Sequence, residues 1–141
     1  FYFRLNKVLR ERNSAKLAVC GPYLYYLMKG LESLQPFKFV CDGTFLWRGV
    51  RSEGREVLLR NYQRGRKVHW SGFSSASLSR KVALDFAGAG GVLLRLDLLP
   101  RGSRARDIRN LSMLRGEEEV LLLPNFVATV TREIREIDGR D

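Results

Sequence analysis

The period of the apolar residues changes once along this chain, and that change limits the fold more than any other feature. In the first third, Leu5, Val8 and Leu9 stand at i, i+3 and i+4, and Leu24, Leu27, Met28 and Leu31 recur every 3.6 residues. Both patterns predict helices. Pro22, after Gly21, is the expected first turn of the second one. From residue 44 the dominant repeat is two. The segments "TFLWRGV" (44–50), "KVHWSGF" (67–73), "GVLLRLDLL" (91–99), "EEEVLLLPN" (117–125) and "VATVTREIREI" (127–137) read as strands, the last alternating less cleanly, with final residues that also suit a helix. In the first of these Thr44, Leu46, Arg48 and Val50 share a face. Helix is expected again over about Ser52 to Tyr62 and over "SLSRKVALDFAG" (77–88). There Ser77 is the expected cap, Leu78, Val82 and Phe86 the apolar stripe, and Gly88 the stop. "PRGSRARDIRNLSMLRG" (100–116) is expected to be a basic, irregular connection. Helices first, then strands with helix inserted, predicts an α+β fold in one domain, 1–141.

A chain of 141 residues can bury a real core. Its net charge of +10 favours an anionic partner: nucleic acid, a phosphorylated ligand, an acidic protein or a membrane surface. Charge alone does not choose among them. No apolar run approaches the ~20 residues of a membrane span. "FYFRLNKVLR" is interrupted by charges and is not a signal peptide, and a start without Met suggests a piece cut from a longer protein. A cytoplasmic and a secreted, toxin-like location are both compatible with this. Cys20, Cys41 and the lone His69 cannot supply the four ligands of a closed Cys/His zinc site, so no metal is expected. The cysteines are expected to be thiols, and His69 a structural strand residue.

Three features carry chemistry. The first is "EEE" against "VLLL": in a strand Glu117 and Glu119 point one way and Glu118 the other, placing two carboxylates roughly 7 Å apart. They are either a solvated strand mouth or an acid/base and cation-stabilising pair. The second is "GFSSAS" (72–77), where hydroxyls meet a strand-to-helix handover; these are either a serine-rich cap or an anion-facing cluster. The third is Arg48, an arginine among strand apolars that needs an anionic partner or exposure. Gly49 beside it leaves backbone open to close approach. "GAGG" (88–91) is not a dinucleotide-binding loop, since it follows a helix and precedes a strand.

Taken in order, "LWRGV", "GFSSASL" and "EEEVLLLP" resemble the arginine–serine–glutamate clade of ADP-ribosyltransferases, which includes vertebrate arginine-specific enzymes and the catalytic domains of binary bacterial toxins. The helical "LNKVLRERN" and "YLYYLMKGLESL" and the segments "ALDFAG", "GVLLRLDL" and "ARDIRNLS" extend the resemblance over essentially the whole chain. It implies a helical N-terminal part and two packed, mainly antiparallel sheets with NAD in the cleft between them. Two departures stand out. Ala76 replaces the threonine of the serine motif, and Met113 and Leu114 stand where relatives often carry an aromatic, on the loop that handles the acceptor.

The resemblance implies that Glu119, directly before the aliphatic run, stabilises the charge that develops on the ribose as the nicotinamide bond breaks. Ser75 would hold Glu119, Arg48 would grip the NAD phosphates, and Gly49 would meet the nicotinamide amide with its backbone. Ser77 would line the cofactor site. Phe86 is either a stacking partner for nicotinamide or core. Glu117, two residues before the catalytic glutamate, resembles the arginine-modifying branch, so the implied acceptor is a protein arginine. Between Arg95 and Arg115 six arginines and two aspartates leave a net charge of +4. This suits an acceptor arginine set in an acidic surface, or nucleic acid, unless these arginines pair internally. NAD hydrolysis, with water as acceptor, needs the same residues. A non-enzymatic alternative is a basic nucleic-acid-binding domain, for which Tyr62 among Arg60, Arg64, Arg66 and Lys67 is the one hint.

Overall fold

The computed structural model describes residues 2–38, 45–98, 104–111 and 118–135. Cys41, Thr44, Met113, Leu114 and Glu117, each singled out in the sequence, lie outside them. Helix α1 spans Tyr2–Glu11 and α2 spans Ser14–Ser33. The second helix begins well ahead of the expected start. Asn13 caps it by accepting from Lys16 N at 3.0 Å, which leaves Pro22 inside the helix rather than in its first turn. A mid-helix proline gives up one backbone bond. The stripe of Leu24, Leu27, Met28 and Leu31 packs against Leu5, Phe73, Leu121 and Leu123, and that burial carries the helix through.

Among the described residues seven strands follow: β1 (Leu46–Val50), β2 (Lys67–Trp70), β3 (Ser74–Ser77), β4 (Val92–Leu96), β5 (Ala105–Asp107), β6 (Glu119–Leu122) and β7 (Phe126–Thr129). A 3-10 turn, Ser52–Gly54, leads into helix α3 (Arg55–Asn61), and α4 spans Arg80–Ala87. One sheet has the order β4-β1-β3-β6-β5, the other pairs β2 with β7, and every pairing is antiparallel. Between the sheets lie Leu46, Ala76, Ala105, Val120 and Leu122, closed by Phe126 and by Trp70, whose ring stacks on Phe126 at 5.4 Å. Helices α1 and α2 cover a second core. The "VLLL" run is continuous because β6 is buried on both faces. Val120 and Leu122 enter the inter-sheet core, while Leu121 and Leu123 enter the helical one.

Four further sequence expectations need correcting. "SSAS" is not a helix cap but strand β3, paired with β1 and β6. The cap of α4 is Ser79, accepting from Val82 N at 3.3 Å. The buried side of α4 is Ala83 and Ala87 rather than Leu78, Val82 and Phe86. This is because α4 lies so close to β1 and β4 that only small residues fit. A Cβ on Gly49 would run into Ala83 O, and one on Gly91 into Ala87 O. The "irregular" 100–116 connection contains β5, and Ala105 in it is fully buried. The last strand stops at Thr129, and residues 130–135 continue without one.

Candidate active site

Strands β1, β3 and β6 are neighbours, and each contributes one element of the sequence constellation. In the register Ser77 faces Glu119 and Ser75 faces Leu121, so Ser75, Ser77 and Glu119 share one side of the sheet. Ser75 Oγ donates to Glu119 Oε1 at 2.5 Å. Arg48 reaches across from β1 and donates from Nη1 to Ser75 O at 2.6 Å. Its guanidinium also lies over the Trp70 ring, 5.3 Å from the centroid, and so bridges the two sheets.

These groups line a cavity of about 930 Å³, which also takes in Gly49, Ser77 and Phe86. The structure thus brings together six of the seven residues singled out; Glu117, the seventh, lies outside the described residues. Ser77 is buried, and its Oγ accepts from Ser79 N at 3.0 Å, fixing the turn into α4. Phe86 is 58% exposed with Arg51 stacked over it at 5.0 Å, so it is a cavity-rim residue and not core. Gly49 is a glycine because α4 occupies the space where its Cβ would go.

Several lining residues were missed in the sequence. Asn6 is 6% exposed; its Oδ1 accepts from Phe73 N at 2.8 Å and its Nδ2 donates to Phe73 O at 3.1 Å. It therefore ties α1 to the segment entering β3. Arg10, one turn further along α1, lines the same cavity. The i, i+4 spacing of Asn6 and Arg10 was the available signal, since it puts both on one helix face. Tyr62 and Trp70 also line the cavity, and Trp70 Nε1 donates to Tyr62 OH at 2.5 Å. Tyr62 is thus turned inward rather than displayed among its basic neighbours. Burial raises its phenol pKa, opposed by the Trp70 hydrogen bond and the nearby Arg48 charge. His69 lines the cavity too, with Arg12 Nη2 3.3 Å from its Nδ1.

The arginines of the basic stretch that fall among the described residues are internally engaged. Arg95 pairs with Asp97 at 3.7 Å, and Arg104 donates to Pro124 O at 3.1 Å. Arg106 is buried and donates to Leu31 O at 3.0 Å. Arg109 grips Asp107 with Nε and Nη2 and, chiefly through those hydrogen bonds, holds its carboxyl below the usual range. Among the described residues no cluster of three or more His, Cys, Asp or Glu could hold a metal, and no helix is long and apolar enough to cross a membrane.

Helices packed on two antiparallel sheets, with this cavity beside them, make up the ADP-ribosyltransferase fold. The family model described as NAD:arginine ADP-ribosyltransferase matches residues 1–140, and the chain belongs to that family. Among solved structures it is similar to the ADP-ribosyltransferase Vis in complex with M6 inhibitor, with a TM-score of 0.70 and 23% identity over 93% of this chain and 60% of that one. The same enzyme in complex with agmatine gives a TM-score of 0.69 at 23% identity, over 93% of this chain and 61% of that one. Vis is a toxin from Vibrio splendidus. The Clostridium limosum C3 exoenzyme follows, with a TM-score of 0.66 and 21% identity over 89% of this chain and 68% of that one. The chain thus spans about 60% of the length of the Vis structures. A search of curated proteins gave no match.

Proposed function

We propose that this chain transfers ADP-ribose from NAD to a protein arginine, with release of nicotinamide. The observation that carries this reading is the Ser75–Glu119 hydrogen bond, with Arg48 on the Ser75 carbonyl, inside one large cavity. The residues fit NAD. The volume is at the upper end of the range for small-molecule sites. Arg48 and Arg10 offer cations for its phosphates, and Glu119 an acceptor for a ribose hydroxyl. NAD supplies the nicotinamide–ribose bond that breaks.

In this reading Glu119 supplies fixed negative charge where positive charge grows on the ribose. Ser75 fixes the rotamer of Glu119 and so removes the cost of orienting it. Arg48 holds phosphate and, through the Ser75 carbonyl, keeps the serine strand in register with the anion. Gly49 offers backbone to the nicotinamide amide, Phe86 covers its ring from the cavity rim, and Ser77 secures the turn behind. Glu117 pairs with the guanidinium of the acceptor and takes its proton. The family description and the agmatine complex of Vis support a guanidinium acceptor. The internal pairing of Arg95, Arg104, Arg106 and Arg109 weakens the case for an acidic acceptor surface.

The test is labelled NAD with polyarginine, using wild type and Glu119→Gln. Wild type labels the polymer, and the variant does so about 10²–10³-fold more slowly. Nicotinamide release without label on arginine would turn the reading toward hydrolysis. Equal rates in both proteins would remove Glu119 from the chemistry.

A further inference from the structure

Tyr62 caps the C-terminus of α3, its N–H bonded to Leu58 O at 2.8 Å, and its side chain enters the cavity next to Trp70 and Arg48. An indole N–H can only donate, so in the 2.5 Å contact with Trp70 the phenol oxygen is the acceptor. The phenol's own hydrogen must therefore point elsewhere. Among the described residues nothing accepts it. Burial raises the pKa of this group, so it keeps its proton at neutral pH and remains a donor. The cation next to it is the Arg48 guanidinium, which lies over the Trp70 ring to which Tyr62 is bonded. A phenol donor with a guanidinium charge near it, in a partly enclosed space, matches an acceptor that carries negative charge, because hydrogen bonds to an ionised oxygen are about twice as strong as neutral ones. Ribose hydroxyls do not meet that description; phosphate oxygens do.

We infer that the Tyr62 hydroxyl donates to a phosphate oxygen of the dinucleotide, on the same pyrophosphate that Arg48 grips. The inference rests on the transferase reading above and adds a binding residue to it. Trp70 becomes the group that orients the hydroxyl, by occupying its acceptor side.

The test is the affinity of wild type and Tyr62→Phe for NAD, ADP-ribose and nicotinamide, measured by calorimetry. The phenylalanine keeps the ring and removes only the hydroxyl. Affinity for NAD and ADP-ribose is expected to fall about tenfold, with that for nicotinamide unchanged and kcat at saturating NAD nearly so. The double variant Tyr62→Phe with Trp70→Phe strands no indole N–H and is expected to show the same loss. Recovery of affinity in the double variant, or an equal loss for all three ligands, would overturn the inference in favour of a structural role. If wild type binds NAD and ADP-ribose and Tyr62→Phe binds them equally well, the inference alone falls. If wild type binds neither, the transferase reading falls and takes this one with it.

Discussion

Asn6 does with one side chain what a neighbouring strand does with its backbone. Its amide bonds both the N–H and the C=O of Phe73, at 2.8 and 3.1 Å, and both residues are buried. Those two groups lie just ahead of β3, so one helical side chain helps set where Ser75 stands. Asn6→Ala is expected to lower stability by about 1–3 kcal/mol, because it removes two buried hydrogen bonds to the Phe73 backbone. Urea unfolding measures this directly. The sequence showed Arg48, Ser75 and Glu119 because each breaks a local rule: a cation or a carboxylate beside aliphatic strand residues, or hydroxyls in a cluster. Asn6 breaks none. An asparagine on a helix is unremarkable until the chain 67 residues later is folded against it.

At the scale of elements, legibility followed the source of each element's stability. Strand β6 was readable because its aliphatic run is buried on both faces, and α1 because its apolar stripe is its own. Strand β3 was not: four small residues, three of them serines, have little strand preference, and β3 is held by β1 and β6 from distant parts of the chain. The short β5 was hidden among arginines for the same reason. The α4 stripe was misjudged because the deciding partner is a glycine on another strand. Gly49→Ala is expected to cost about 3 kcal/mol or more, since the new methyl meets the rigid helix backbone at Ala83 and, 2.9 Å away, Ala87 N. Gly30→Ala on α2, where a Cβ meets nothing within 4 Å, is expected to stabilise by about 0.5–1 kcal/mol. Thermal melts of the two variants side by side check both signs.

The whole molecule carries a net charge of +10, and Arg10, Arg48 and Arg51 stand in or at the rim of one cavity. On the proposed reading, an anionic dinucleotide would be drawn in by the field as well as held by contacts. The kcat/KM for NAD is expected to fall about threefold or more between low and near-molar salt, and Arg10→Gln to flatten that dependence; initial rates across a salt series read both. The close seating of α4 has a mechanical side. A helix laid backbone to backbone on β1 and β4, with Gly49 and Gly91 beneath it, has no layer of side chains to compress. Those three elements behave as one stiff plate. The facing parts of the cavity are joined through jointed groups, the Asn6 amide and the Trp70–Tyr62 pair. If the proposed transfer takes place, the plate is expected to hold its shape and the jointed side to give way as a dinucleotide enters and nicotinamide leaves.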